Sequence, residues 1–322
     1  MSANVPQFTL NNGTSMPAVG LGCWMGEPGQ ADRAYAMVKK SIQVGYRHFD
    51  TAAGYGNEEA VGRAIRESGI PRKEFHITTK LINWDHGRVS EAFSESLKAL
   101  NCEYIDMYLI HWPQAASRSD MGNALPPDQS PTFVECWKDM EKLLDTGKVN
   151  SIGVSNFSIK TLETLLPHCS VVPATNQVEC HPCLPQHDLK AYCESKGIVI
   201  TAWGPLGRPG YNPSGPSLMA DPTVTKIAEK HSVEVAQVLL SWGVQRKTVV
   251  VPKTENETRM KTNITLTALD DAEMDALDNL HKKPGMHRSL AEGIHKPDGK
   301  VFGWTYEQLG WPMTIGGVVV EK

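Results

Sequence analysis

The sequence lacks several features that would place it in a special class of protein. Its 322 residues carry 32 Lys and Arg against 36 Asp and Glu, so no basic excess points to nucleic acid or an anionic membrane as a partner. No apolar run is long enough to cross a bilayer. Residues 1–6 lack the charged and apolar parts of a signal peptide. The seven scattered cysteines fit free thiols in a reducing compartment. We therefore expect a cytoplasmic protein, a monomer or weak dimer, that acts on a small molecule.

Short β-branched runs alternate with amphipathic helical stretches along most of the chain. Before them, Asn12-Gly13 predicts a hairpin over 8–17, because both central residues of such a turn need positive φ. Eight strands are predicted over 19–22, 46–50, 76–80, 105–110, 151–155, 174–178, 198–203 and 248–252. The predicted helices include 31–44, 59–68, 89–100, 133–146 and 222–231. This alternation favours parallel pairing, and eight such units fit one closed (β/α)8 TIM barrel of the α/β class.

Two connections are long and contain many Gly and Pro residues, 114–131 and 204–221. Both leave the C-terminal ends of predicted strands, which form the active face of a barrel, and long loops in a compact fold tend to be functional. The tail from residue 283 has no clear period, and we expect it to lie as a C-terminal loop flap over the same face. No linker is visible, so residues 1–322 are expected to form a single domain.

Four polar residues follow or end apolar strands: Asp50, Tyr55, Lys80 and His111. Strand ends of a barrel share one mouth, so these residues are expected to meet there. Because the ordinary pKa of tyrosine is about 10, Tyr55 needs a nearby ammonium to donate a proton near neutral pH. A buried Lys80 would supply it, with Asp50 as its counter-ion. A structural salt bridge would explain Asp50 and Lys80 but not the presence of Tyr55 and His111.

Three strings carry these residues: 50–58, 79–81 and 109–113. Together with a fourth string, 251–254, they resemble the aldo-keto reductase family, and the resemblance extends from about residue 8 to 311. It implies that Tyr55 is the proton donor, that Lys80 lowers the pKa of Tyr55, that Asp50 holds Lys80 and that His111 orients the substrate. No side chain is a hydride donor, so a cofactor is needed. The resemblance implies NADPH and the reduction of aldehydes or ketones to alcohols.

The same resemblance implies a set of cofactor contacts. Ser155, Asn156 and Gln177 are assigned to the nicotinamide carboxamide, Trp203 to stacking under its ring, Lys253, Thr254 and Arg259 to the adenosine 2′-phosphate and Asn263 to adenine, with Leu206 as a further contact. Two cations and a hydroxyl suit a phosphate dianion. The chain departs from the family pattern at Gly204, Arg208 and Gly210, in the loop that the resemblance expects to close over the cofactor, and at Thr262, where the family has a contact with adenine.

The substrate pocket is predicted to have aromatic walls, formed by Trp24, Trp84, Trp112 and Trp304. No metal is expected, because Cys180 and Cys183 have no second pair to complete a zinc site. The glycines in 20–26 do not have the G-x-G-x-x-G spacing of a Rossmann dinucleotide-binding motif, so that interpretation is rejected. Two other functions stay open: physiological oxidation of a polyol such as glycerol with NADP, and a non-catalytic subunit that binds NADPH for regulation.

Overall fold

The eight predicted strands form one parallel sheet in a computed structural model of the protein, which describes residues 5–209 and 216–320. The strands are β1 (Leu21–Gly22), β2 (His48–Asp50), β3 (His76–Leu81), β4 (Ile105–Ile110), β5 (Val149–Ser155), β6 (Thr175–Glu179), β7 (Val199–Trp203) and β8 (Val249–Val250). They pair in chain order, each with the next. The two end strands also meet, because the Gly20 amide donates to the Val250 carbonyl at 2.9 Å. The expected closed barrel is therefore confirmed.

Helices surround the barrel and connect its strands. They are α1 (Ala31–Val44), α2 (Glu58–Glu67), α3 (Val89–Leu100), α4 (Phe133–Leu143), α5 (Ile159–Leu165), α6 (His187–Ser195), α7 (Pro222–His231), α8 (Val235–Gln245), α9 (Glu257–Asn263), α10 (Asp271–Asp278) and α11 (Tyr306–Leu309). The predicted bounds of α1, α3 and α7 agree with the structure, and α2 is shifted by one residue. The predicted helix over 133–146 ends at Leu143 and continues as a 3₁₀ turn. No helix in the described ranges is long and apolar enough to cross a membrane.

The predicted hairpin lies at the N-terminal end of the barrel. Its strands are Gln7–Thr9 and Ser15–Pro17, and they pair antiparallel. Met16 is buried together with Leu109 and Val249 in a small apolar cluster. The hairpin therefore contributes to the core at the end of the barrel opposite the strand C-termini.

The C-terminal tail is more regular than a loop flap. Lys300–Val301 pairs with Trp304–Thr305, and Met313–Thr314 pairs with Val318–Val319. The tail crosses the C-terminal ends of the strands, as expected. There the buried Glu179 carboxylate at the end of β6 accepts hydrogen bonds from the Ser289 hydroxyl at 2.5 Å and the Leu290 amide at 2.8 Å.

Candidate active site

Tyr55 reaches the barrel mouth on a short turn that follows β2. Asp50 is the last residue of β2, and the 3₁₀ turn Ala53–Tyr55 comes shortly afterwards. Gly56 ends this turn at φ +63, a conformation that side chains with a Cβ rarely adopt. Buried Asn57 then donates to the backbone carbonyl that follows β1 at 2.8 Å. The loop is thus fixed at both ends, and the position of Tyr55 is fixed with it.

Lys80 and Asp50 form an ion pair inside the barrel. Lys80 Nζ lies 2.6 Å from Asp50 Oδ1 and donates to the Thr51 carbonyl at 2.9 Å. Lys80 has no exposed surface and Asp50 is 3% exposed. The second carboxylate oxygen, Oδ2, accepts from Gln177 Nε2 at 2.6 Å. The predicted pairing of Lys80 with Asp50 is confirmed, and Gln177 completes it from β6.

Tyr55 and His111 lie beside this ion pair at the rim. Lys80 Nζ is 5.1 Å from the centre of the Tyr55 ring, and the Tyr55 and His111 rings are 5.7 Å apart edge to face. His111 follows β4 directly, and its amide donates to the Leu81 carbonyl at 3.1 Å, which extends the pairing of β3 with β4. All four residues predicted from scattered positions in the sequence therefore meet at one site.

Burial and charge set the protonation of these groups. Burial raises the pKa of Tyr55 above its ordinary value, and the Lys80 ammonium only partly opposes that rise. Burial alone would lower the pKa of Lys80, but the Asp50 carboxylate raises it overall. Burial, with the Lys80 charge, holds the pKa of His111 well below its ordinary value. At neutral pH Tyr55 is protonated, Lys80 is charged and His111 is neutral.

Polar groups at the ends of β5 and β6 form a second part of the site. Ser155 Oγ donates to the Gln177 carbonyl at 2.7 Å. Asn156, at φ +65, donates to the His111 carbonyl at 2.9 Å and accepts from the Trp203 indole N–H at 2.9 Å. Both polar ends of the Asn156 side chain are thus engaged within the protein. Asn156 therefore connects Trp203 to the backbone of His111.

The loop after β7 carries three of the departures from the family pattern. Gly204 and Arg208 both have left-handed backbone, at φ +62 and +51, and half-buried Leu206 lies between them. Gly210, the third, lies outside the described residues. The left-handed conformation explains the glycine at 204, where a Cβ would be strained.

The predicted phosphate-binding residues lie together, with Lys253 and Thr254 on the loop after β8 and Arg259 in α9. Arg259 Nε donates to Thr254 Oγ1 at 3.2 Å, and Lys253 Nζ donates to Glu255 at 2.6 Å. Asn263, at the end of α9, is buried, and its Oδ1 has no hydrogen-bond partner among the described residues. The group thus presents two cations and one unsatisfied buried acceptor.

Aromatic rings surround the mouth. Trp24 packs against Tyr55 at 5.0 Å between ring centres, and Trp112 contacts Phe302 at 4.7 Å and Trp311 at 6.2 Å. Trp112 also stacks on His111 at 6.4 Å, so the predicted pocket residues Trp24 and Trp112 lie beside Tyr55 and His111.

The other two predicted pocket residues, Trp84 and Trp304, have no ring contact with Tyr55 or His111 among the described residues. Trp84 is half-buried on the 3₁₀ turn Asn83–Asp85 after β3. Trp304 is buried, and its indole N–H donates to the Leu125 carbonyl at 2.7 Å, which ties the tail to the long loop after β4. A pocket role for these two residues stays a prediction.

Comparison with known proteins identifies the chain. A family model described as the aldo/keto reductase family matches residues 18–282. The chain belongs to the aldo/keto reductase family. It is 39% identical to the glycerol 2-dehydrogenase (NADP(+)) of Saccharomyces cerevisiae over 87% of this chain and 92% of that one. It is also 39% identical to the D-galacturonate reductase of Hypocrea jecorina, over 92% and 97%.

A solved structure agrees with this assignment. The aldo-keto reductase of Bombyx mori in complex with NADP is 36% identical, with a TM-score of 0.80 over 87% of this chain and 93% of that one. As an aldo/keto reductase, the chain is an NADP-dependent oxidoreductase that reduces aldehydes and ketones to alcohols.

The residues of this aldo/keto reductase fit NADP. The unpartnered Oδ1 of Asn263 suits the exocyclic amino group of adenine, which is a donor. Lys253 and Arg259 suit a phosphate dianion. Gln177 donates to Asp50 through Nε2, and its Oε1 accepts no hydrogen bond from the described residues, so an acceptor remains for a carboxamide N–H.

Sequence reasoning missed three features of the site. Phe302 is 47% exposed against Trp112, in a tail with no periodic pattern. The hydrogen bond from Gln177 to Asp50 joins residues 127 positions apart, which no local pattern reveals. Glu255, directly after the predicted Lys253 and Thr254, pairs with Lys253. Its position directly after the string 251–254 was the one signal in the sequence for Glu255.

Proposed function

We propose that Tyr55 is the general acid of this reductase and protonates the carbonyl oxygen of the substrate. The observation that carries the proposal is the buried Lys80–Asp50 ion pair beside Tyr55 and a neutral His111. A proton donor must still hold its proton at the working pH, and the raised pKa of Tyr55 meets that condition. A neutral His111 has no proton to release easily, but its N–H can hydrogen-bond the substrate oxygen.

The mechanism assigns one task to each group. NADPH, when bound, supplies the hydride to the carbonyl carbon. His111 fixes the carbonyl oxygen near the Tyr55 hydroxyl, which donates its proton to that oxygen. The Lys80 ammonium stabilises the phenolate that remains on Tyr55. Asp50 holds Lys80 in place, and Gln177 holds Asp50.

The aromatic rings favour an aldehyde or ketone with an apolar or aromatic substituent. Trp24, Trp112 and Phe302 offer ring faces and few hydrogen-bonding groups to such a substituent. Reduction is favoured over polyol oxidation at neutral pH, because oxidation needs the Tyr55 phenolate and burial raises the pKa of that hydroxyl. We further propose that the enzyme acts in the cytoplasm as a monomer or weak dimer.

NADPH absorbance tests this proposal directly. The purified protein is mixed with NADPH and a series of aldehydes, ketones and sugars, and in parallel with NADP and glycerol, all at pH 7. We expect turnover of aromatic aldehydes to exceed glycerol oxidation. Binding of NADPH without turnover of any carbonyl compound or polyol would instead support the regulatory subunit. Faster oxidation of glycerol would reverse the assigned direction.

A further inference from the structure

Glu255 lies between two cations at the predicted phosphate site. Its Oε1 is 2.6 Å from Lys253 Nζ and 2.7 Å from Arg33 Nη2. Arg33 Nε also donates to Oε2 at 3.2 Å, so the guanidinium holds the carboxylate through two bonds. Glu255 is thus fixed against Lys253 by a residue of α1.

The carboxylate of Glu255 is charged throughout the working pH range. The hydrogen bond from Arg33 lowers its pKa to about 2, with a smaller contribution from Lys253. Lys253 therefore already has an anionic partner. An incoming phosphate dianion would have to share the ammonium with Glu255 or displace it.

We propose that Glu255 is a selectivity residue that weakens the preference of this enzyme for NADPH over NADH. The proposal rests on the proposed role of Lys253 in binding the 2′-phosphate. In NADPH that phosphate competes with Glu255 for the ammonium and is repelled by its charge. In NADH the same position carries a neutral hydroxyl, which can donate a hydrogen bond to a carboxylate.

The expected effect is moderate, because the groups are partly in solvent. The side chains of Lys253 and Glu255 are 31% and 38% exposed. An exposed ion pair contributes up to about 1 kcal/mol, which corresponds to about fivefold in a dissociation constant. Removing the negative charge of Glu255 should therefore strengthen NADPH binding about fivefold.

Glu255→Gln removes the charge and keeps the shape of the side chain. Glu257→Gln is the matched control, because Glu257 is a neighbouring glutamate whose partner is Lys261 at 2.7 Å. Dissociation constants for NADPH and NADH are measured by quenching of tryptophan fluorescence at low salt. For Glu255→Gln we expect the Kd for NADPH to fall about fivefold and the Kd for NADH to stay unchanged or rise. For Glu257→Gln we expect the ratio of the two constants to stay at the wild-type value.

An unchanged ratio of the Kd values for NADPH and NADH in Glu255→Gln would overturn the inference. Weaker NADPH binding would also overturn it, because it would show that Glu255 positions Lys253 for the phosphate. Arg259→Ala separates this from failure of the site itself. If Arg259→Ala weakens NADPH selectively while Glu255→Gln changes nothing, only the role of Glu255 is wrong. If neither variant affects NADPH, the phosphate site is wrong and the inference fails with it.

Discussion

Replacing Lys80 with Met removes the ammonium from the centre of the proposed mechanism and keeps most of the side-chain volume. In the structure Lys80 donates to Asp50 at 2.6 Å and to the Thr51 carbonyl at 2.9 Å, with no exposed surface. The variant leaves Asp50 with the hydrogen bond from Gln177 but no counter-ion. Loss of one partner from a buried pair costs about 3–5 kcal/mol, a large part of a typical stability of about 5–15 kcal/mol.

The charge change also has a defined effect on catalysis. Because the Lys80 charge lowers the pKa of Tyr55, its removal should raise that pKa further. The alkaline fall in the reduction rate should therefore move to higher pH, and so should the alkaline rise in the oxidation rate. Rates are measured from about pH 7 to about pH 11.5, well above the ordinary tyrosine pKa of about 10, because burial raises the pKa of Tyr55. Stability is measured by urea unfolding.

The double variant Lys80→Met with Asp50→Asn is the control for stability. It removes both charges, so it should recover much of the stability lost in Lys80→Met, because a neutral replacement of a buried pair is often tolerated. A stability loss below about 1 kcal/mol in Lys80→Met would contradict the buried pair. An unmoved pH–rate profile in the folded variant would refute the action of Lys80 on Tyr55.

Three further predictions concern the cofactor, the pH dependence of stability and the substrate. Arg259→Ala removes one charge-assisted hydrogen bond, worth about 1.5–3 kcal/mol, so the Kd for NADPH should rise roughly 10- to 150-fold while that for NADH stays nearly constant; equal weakening in fluorescence titrations would contradict the site. Burial holds the pKa of His76 in the folded protein well below 6.5. As the pH falls below about 6.5, His76 is therefore protonated first in the unfolded chain, and the folded state loses up to about 1.4 kcal/mol of stability per pH unit. His76→Gln should reduce the loss of unfolding free energy between about pH 7 and about pH 5, measured by urea unfolding. The same loss in the variant as in the wild type would show that His76 does not cause it. Phe302 has left-handed backbone at φ +46, so Phe302→Asn should leave the melting temperature unchanged or raised. The KM of the Phe302→Asn variant for aromatic aldehydes should rise several-fold, and an unchanged KM would show that Phe302 does not line the substrate pocket.

The barrel and the meeting of Asp50, Tyr55, Lys80 and His111 at one site were predictable, because both depend on short-range pattern. Apolar runs ending in Asp50, Lys80 and His111 mark strand ends, and in a parallel barrel those ends share one face. Strand bounds were less accurate. The predicted strand over 248–252 is a regular strand only at Val249–Val250. Pro252 has no amide to donate to the sheet, although its carbonyl still accepts from Gly22 of β1 at 3.0 Å.

The electrostatics of the site depended on distances that the sequence does not contain. The ammonium of Lys80 was expected to lower the pKa of Tyr55, and its charge does act in that direction. Burial, which only the folded structure shows, outweighs it. The contacts of Gln177 with Asp50 and of Arg33 with Glu255 join residues 127 and 222 positions apart, and only the closed barrel brings them together.

The central claim is that Tyr55 supplies the proton, and Tyr55→Phe tests it most directly. The variant keeps the ring against Trp24 and His111 and removes only the hydroxyl. NADPH oxidation with a good aldehyde substrate and the Kd for NADPH are measured on the same preparation. Loss of a general acid slows catalysis about 10²–10⁴-fold, so we predict that fall in kcat with an unchanged Kd. A fall in kcat of less than about tenfold would be smaller than the loss expected for a general acid, and would show that another group donates the proton.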